Sequence, residues 1–468
     1  MTITKLFETA KETGARISPL PASERIQKEK KHLACTIKIN SARAFQQIEG
    51  FGGALTESSA YVLSLLPPEK RNELIAAYYS KDKGIGYTLA RTHMNSCDFS
   101  LNNWACVETP DKTLSSFSME QTDKYITPLI KDAQNFAGEK FRLLISPWSP
   151  PAWMKDNNNM NQGGKLLKKY YPLWAAYFVR FIDELKKRGI DAWAVSVQNE
   201  PAAKQVWDSC LWSASEEAEF AVRHLGPALE KYATAPDKRI KIYVWDHNRD
   251  LLWERFSKSM AFPGANRYID GAAFHWYTGD QYENVAKISK KYPDKGLLFS
   301  EGCVEGGPRP GAWFSGERYA HNIINDLNSG CTGWIDWNIV LNMQGGPNHV
   351  GNFCDAPVLA DTGTGELHYN SSFYYLGHFS KFIGPKARRL ELSFDSYMTP
   401  ATIDGRRGNM MEACAFKNTD GTLALVVMNR SEADMVYELR FEKTCAGSPD
   451  PYILKCPPRG IQTIILAD

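Results

Sequence analysis

Val195-Ser196-Val197-Gln198-Asn199-Glu200-Pro201 and Leu297-Leu298-Phe299-Ser300-Glu301-Gly302 are two apolar runs that each break off at a glutamate. A parallel strand buried on both faces reads in this way and delivers its last side chain to the carboxyl end of a sheet. Two carboxylates facing one another at such ends are the minimum equipment for cleaving a glycosidic bond. One glutamate after an apolar run carries little weight, since roughly a quarter of an average chain is charged. The rigid Asn199-Glu200-Pro201 triplet and the tryptophans beside similar runs strengthen the reading.

Around these two runs the chain keeps a regular rhythm. From Gln47 onward, short apolar runs alternate with longer stretches of helical period, the pattern of a parallel sheet with crossover helices. Eight strands are expected, near 48–52, 87–94, 141–146, 193–197, 242–245, 272–275, 297–300 and 333–336. A helix is expected from Pro172, closed by Lys186-Lys187-Arg188-Gly189, and another is expected to open at Ser215-Glu216-Glu217. The pattern predicts an α/β fold, a (β/α)8 TIM barrel over 47–384. After about Pro385 the rhythm stops, and β-rich runs at 409–416, 422–428, 435–441 and 462–466 suggest a small antiparallel β-sandwich over 385–468. Residues 1–46 are polar and basic, with Lys28-Glu29-Lys30-Lys31 ahead of one alternating run, Leu33 to Ile39, that is expected to return to the sandwich.

At 468 residues the chain is long enough for one large barrel with an added domain. A net charge of +2 offers no strong field for nucleic acid or an anionic membrane, and no nucleic-acid partner is expected. The first ten residues lack the apolar core of a secretory signal, and the ten cysteines are scattered without a C-x-x-C pair. Buried reduced thiols and a cytoplasmic location are therefore expected, with export by a route that needs no cleaved signal left open.

In a barrel of this kind the site is built from the carboxyl ends of the strands. Seven of the eight expected strands end in polar or aromatic groups: Arg91 with Asn95-Ser96-Cys97-Asp98, Ser146-Pro147-Trp148, Asn199-Glu200, Trp245-Asp246-His247, His275-Trp276-Tyr277, Ser300-Glu301 and Asp336-Trp337-Asn338. Glycoside cleavage needs a proton donor and a carboxylate to meet the oxocarbenium-like centre. Glu200 is read as the acid/base and Glu301 as the nucleophile, with Tyr277 or His275 to keep it ionised. The plainer readings are a helix cap for Glu200, a structural ion pair with Arg91 for Glu301, and core packing for Trp148, Trp276 and Trp337. His93, His247 and His275 end separate strands, but their spacing supports no metal site, and no metal or cofactor is expected.

The residues also resemble glycoside hydrolase family 30, in its glucosylceramidase branch. The likeness runs through Gly50-Phe51-Gly52-Gly53-Ala54-Leu55-Thr56, Ser96-Cys97-Asp98-Phe99-Ser100, Ser146-Pro147-Trp148-Ser149-Pro150-Pro151, Gln198-Asn199-Glu200-Pro201, His275-Trp276-Tyr277, Ser300-Glu301, Asp336-Trp337-Asn338, Gly345-Gly346-Pro347-Asn348 and Gly377-His378-Phe379-Ser380-Lys381-Phe382. Ala273-Phe274-His275-Trp276-Tyr277-Thr278-Gly279-Asp280 brings it closer still to bacterial effector-type members. The resemblance implies a barrel with a β-sandwich from both chain ends, and retention of configuration. It implies a glucose subsite lined by Asp98, Trp148, Asn199, Trp337 and Asn352, with His275 and Tyr277 flanking the nucleophile. Asp336 is grouped with the site at the eighth strand end. The loop from Ala202 to Cys210 departs from the lysosomal members and is expected to meet the aglycone.

The expected function is a retaining β-glucosidase acting on glucosylceramide or a related β-glucoside, with transient contact to a membrane surface and an oligomeric state left open. A β-1,6-glucanase or β-xylosidase on the same machinery, and a carbohydrate- or lipid-binding protein without catalysis, stand as alternatives.

Overall fold

The computed structural model describes residues 1–27, 32–233, 239–397, 401–403, 406–408, 410–442 and 450–467. The basic run at 28–31 and Asn409 lie outside the described residues. Eight strands close into a barrel: β1 (Gly50–Ala54), β2 (Leu89–Met94), β3 (Arg142–Pro147), β4 (Ala192–Ser196), β5 (Lys241–Asn248), β6 (Gly271–His275), β7 (Gly296–Glu301) and β8 (Gly333–Asn338). Each strand coincides with one expected from the apolar runs, with ends shifted by a few residues. Neighbours pair in parallel, as strands joined by crossover helices must.

The barrel is filled rather than hollow. Leu89, Leu144, Ala194, Tyr243, Ala273, Leu298 and Ile335, one from each of β2 to β8, form a single buried cluster. Strands alternate sides with a period of two, so the next inward positions, toward the carboxyl ends, belong to Arg91, Ser146, Ser196, His275, Ser300 and Trp337. A polar layer thus lies directly on an apolar one.

The helix expected from Pro172 runs over Tyr171–Lys187, and Gly189 follows in the left-handed region. The second expected helix spans Ala214–Phe220, but its cap is Ser213 rather than Ser215. Ser213 Oγ accepts from the Glu216 backbone, and the Glu216 carboxylate accepts from the Ser213 backbone. Only the Ser-x-x-Glu spacing allows that reciprocal pair.

The chain divides into two compact units, one of Phe51–Pro310 with Gly333–His368, the other of Met1–Gly50, Gly311–Thr332 and Tyr369–Asp468. The second is built on a nine-stranded sheet in the order Ser18–Leu20, Thr2–Ala10, Gly460–Ala467, Leu423–Asn429, Met411–Lys417, Arg388–Ser396, Leu33–Gln47, Met435–Phe441, Tyr452–Cys456. The strand from Leu33 joins this sheet as expected, and both chain ends contribute to it. The sheet is mixed rather than purely antiparallel, because Met435–Phe441 runs parallel to Leu33–Gln47. The helix Trp313–Asn328 groups with this unit: His321 Nδ1 meets Glu412 Oε1 at 2.7 Å, and Asn328 Nδ2 donates to the Ala413 carbonyl at 2.9 Å. Among the described residues no helix is long and apolar enough to cross a membrane.

β1 and β2 pair at Gly52↔Leu89. A Cβ on Gly52 would run into the Leu89 carbonyl, a backbone atom with no freedom to turn aside. Gly52→Ala is expected to cost at least about 3 kcal/mol in urea unfolding. Gly138→Ala, where a Cβ meets open space at a φ of 70°, is expected to cost only about 1 kcal/mol. Equal losses would show that the approach of β1 to β2 does not limit stability.

Candidate active site

The site grows from the polar layer above the apolar one. Arg91, fully buried on β2, donates from Nη1 to Glu301 Oε2 at 2.6 Å, and from Nη2 to Asp246 Oδ2 and Asn199 Oδ1, each at 2.8 Å. Its Nε donates to Ser146 Oγ at 3.1 Å. Asp246 is the counterweight. Ser196 Oγ donates to its Oδ2 at 2.6 Å, Ser300 Oγ to its Oδ1 at 2.5 Å, and His275 Nε2 stands 3.1 Å from Oδ1.

Two irregularities aim these groups. By simple alternation Trp245, not Asp246, would follow Tyr243 inward. The β5–β6 register shifts between Trp245 and His247, and both Trp245 and Asp246 have positive φ, 77° and 45°. The β6–β7 register shifts between Phe299 and Glu301, so that Ser300 and Glu301 both reach the network. Glu200, just past β4, also has a left-handed φ of 47° and is held there by its N–H donating to the Asp246 carbonyl at 3.0 Å. Such conformations cost about 1 kcal/mol or more for a residue with a side chain and persist where surrounding bonds over-determine them.

The two glutamates meet across one imidazole. His275 Nδ1 lies 3.4 Å from Glu200 Oε1 and 4.0 Å from Glu301 Oε1. Tyr277 Oη donates to Glu301 Oε1 at 3.0 Å, and His247 Nδ1 lies 3.6 Å from Glu200 Oε1. A cavity of about 270 Å³ opens over them. Glu200, Glu301, Asp98, Trp148, Asn199, Tyr277, Trp337 and Asn352 all line it. Trp148 and Trp337 stack on each other at 5.2 Å, and the Arg91 guanidinium sits 4.7 Å from the Trp148 ring centre. They are core and lining at once.

Two expected site residues stand apart. His275 lies behind the carboxylates rather than on the cavity wall, and it approaches Glu200 more closely than Glu301. Asp336 is a correction: it is buried on the opposite side of the β8 pleat from Ile335 and Trp337 and does not line the cavity. His93 is a satisfied core histidine, with Nε2 accepting from the Glu57 N–H at 3.0 Å and Nδ1 2.6 Å from the Asn95 carbonyl. The ion pair weighed as a structural alternative for Glu301 is present, and it is part of the site. The one group of metal-ligand type among the described residues is Glu200, His247 and His275.

Sequence reasoning missed the central role of Asp246, although that residue closes an apolar run. It also missed Asp208, which accepts from Ser96 Oγ at 2.6 Å and Asn103 Nδ2 at 2.9 Å, and meets His349 Nε2 at 3.0 Å. Asp208 thereby ties three loops around the cavity. No local pattern marks it. The loop from Ala202 to Cys210 does reach the cavity, through Gln205 and Trp207.

Charge follows the geometry. Burial disfavours an ionised Asp246, but Arg91 and His275 outweigh it and hold the carboxyl well below its usual range. Burial also opposes a charged His275, yet Glu301, Asp246 and Glu200 raise it to about 9. Burial lifts Asp98 well above the carboxylate range, with Glu301 adding to the effect. Burial and the neighbouring Glu200 charge lift Glu301 against His275 and Arg91, while His275 and His247 favour an ionised Glu200 against its own burial.

A closed parallel barrel with a partly buried carboxylate just past β4 and a buried one at the end of β7, under a tryptophan-lined cavity, is the arrangement of a glycoside hydrolase. The family follows from the whole chain. Residues 48–383 match the glycosyl hydrolase family 30 TIM-barrel domain and 387–464 the family 30 beta sandwich domain, and the chain belongs to glycosyl hydrolase family 30. It is 34% identical over 428 residues to mouse lysosomal acid glucosylceramidase, covering 88% of this chain and 80% of that one. Among solved structures it is similar to SrfJ from Salmonella typhimurium, with a TM-score of 0.89, 36% identity and 99% of both chains covered. It is also similar to the endo-beta1,6-glucanase BT3312, with a TM-score of 0.83, 26% identity and 99% of both chains covered.

The raised His275 titration has a signed consequence. Its contribution to stability is full below the ordinary imidazole value near 6.5 and is lost as pH rises through about 9. Lys155, lowered to about 8 by burial, acts in the opposite direction over part of that range, so the informative quantity is a difference. Urea unfolding at pH 6, 7.5 and 9.5 is expected to show wild type losing of order 3 kcal/mol relative to His275→Gln across the series. Parallel curves for the two proteins would mean that His275 is neutral throughout.

Proposed function

We propose that this protein is a retaining β-glucosidase whose substrate is glucosylceramide or a closely related β-glucoside. The observation that carries the reading is the pair of glutamates sharing His275, one of them bound to a permanent buried cation. In the first step Glu301 attacks the anomeric carbon while Glu200 gives its proton to the departing oxygen, leaving glucose bonded to Glu301. In the second, Glu200 takes a proton from water, the water oxygen bonds to the anomeric carbon, and Glu301 leaves as carboxylate.

The charges around the pair support this division. Arg91 and a protonated His275 supply two positive charges, and Asp246 supplies one negative, so one glutamate ionised and one protonated leaves the cluster neutral. The imidazoles beside Glu200 favour its ionised form, whereas the first step needs a proton on it. The two glutamates share a proton as a unit, and we assign the negative charge to Glu301. Its partners are a guanidinium that does not titrate and a phenol, both at hydrogen-bond length, whereas the imidazoles stand 3.4 and 3.6 Å from Glu200. The mouse relative's name supports the ceramide glucoside as substrate. Such a substrate would make a membrane the working surface.

Glucose release from detergent-dispersed glucosylceramide, beside gentio-oligosaccharides and a xyloside at equal concentration, tests the substrate. The expected outcome is glucose mainly from the lipid. Preference for β-1,6-linked sugars would move the protein to the activity named for BT3312 and leave the two-glutamate chemistry in place. Glu301→Gln is expected to lower kcat by about a thousandfold or more with folding intact. Glu200→Ala is expected to slow poor leaving groups most, by 10²–10⁴-fold or thereabouts, with azide rescuing good ones. Uniform losses without rescue would remove Glu200 from the acid role.

A further inference from the structure

Three ligand-type atoms converge at the cavity, two on its wall and one just behind it. His275 Nδ1, on a fully buried ring, has no hydrogen-bond partner among the described residues, and neither has His247 Nδ1. Both face Glu200 Oε1, from 3.4 and 3.6 Å. The three atoms all lie within 4.8 Å of one another. A zinc ion bonded at about 2.0–2.1 Å to imidazole and carboxylate sets its ligands about 3.4 Å apart along each tetrahedral edge. Two of the three edges already have that length, and the third needs to close by no more than about 1.4 Å.

The surroundings fit as well. His275 Nε2 is backed by Asp246 Oδ1 at 3.1 Å, the carboxylate support that orients a metal-bound imidazole. Asp246 is in turn fixed by Arg91, Ser196 and Ser300. Glu200 and His247 also line the cavity, which leaves a fourth position open to water or an incoming group. Two imidazoles and one carboxylate with an open position are a zinc-type donor set. Imidazole nitrogen selects Zn²⁺ or Cu²⁺ over Mg²⁺ and Ca²⁺, which need oxygen shells.

We propose that Glu200, His247 and His275 form a binding site for a divalent transition metal of the zinc or copper class, and that its occupation silences the enzyme. The metal displaces to solvent the Nδ1 proton that His275 carries in the free protein, and takes the Glu200 oxygen that proton transfer requires, so metal and glycoside compete for one carboxylate. The inhibition rests on the role proposed for Glu200, whereas the binding rests on the geometry alone.

The test is calorimetric titration of the full-length protein with ZnCl2 at pH 7.5 under a phosphine reductant, beside steady-state kinetics on an aryl β-glucoside. One zinc per chain is expected, competitive with the glucoside and reversed by EDTA. His247→Gln and Glu200→Ala should each weaken zinc binding about tenfold or more, and Cys303→Ser, which alters a thiol lining the same cavity, should not. Thermal melting establishes that each variant folds, and Glu200→Ala decides alone if His247→Gln does not. Unchanged affinity in the folded variants, loss confined to Cys303→Ser, or no binding at millimolar zinc would overturn the proposal. Calorimetry reads the site even if the protein cleaves no glucoside, so failure of the metal site and failure of the glucosidase reading are separable.

Discussion

One buried cation organises the active end of the barrel. A guanidinium removed from water is costly unless it is paired and its N–H groups are satisfied, and Arg91 meets both conditions only because other strands come to it. Arg91 enters from β2, Ser146 from β3, Ser196 from β4, Asp246 from β5, His275 from β6, and Ser300 with Glu301 from β7. Six consecutive strands therefore contribute to a single hydrogen-bonded network. The same contacts that neutralise Arg91 fix the position of Glu301 and, through Asn199, the start of the loop that carries Glu200. Stability and the placement of the two glutamates share one origin here.

That network sits on the apolar layer two residues below it, and the pleat explains the pairing. Leu89 and Arg91, Leu144 and Ser146, Ala194 and Ser196, Ala273 and His275, Leu298 and Ser300 are successive inward positions of their strands. The alternation fails at β5, and there the barrel departs from regular geometry: the register shifts, and Trp245 and Asp246 take left-handed backbone. The result brings in an aspartate where alternation would bring a tryptophan. With Trp245 in that place Arg91 would lack its closest counter-charge besides Glu301. Local backbone cost at β5 is offset by the ion pair and the hydrogen bonds it makes possible.

Much of this was readable along the chain, and the reason is physical. Strands buried on both faces must be apolar along their length, so the eight barrel strands announce themselves one by one. Their carboxyl ends carry the exceptions, which is why Glu200, Glu301, Trp148, Tyr277 and Trp337 stand out and why they come together at one cavity. The strands of the other unit are harder to see. Thr2–Ala10 pairs with Gly460–Ala467, at the far end of the chain, and its polar composition gives no sign of the burial those neighbours confer. Arg388–Ser396 alternates at Leu390, Leu392 and Phe394, but its charged residues mask the period.

The sequence by itself determined the barrel, the order of its strands and the two glutamates, because apolar runs and their interruptions are local properties of the chain. The tertiary structure alone decided which groups touch. Asp336 sits on a strand end like the others, yet the pleat turns it from the cavity, while Asp246 is turned inward by a register shift that no residue pattern records. The meeting of His275 with both glutamates, and of Asp208 with two other loops, depends on distances across the barrel between residues remote in sequence. Contact across a closed barrel is set by strand register and tilt, and those exist only once every strand has found its neighbours.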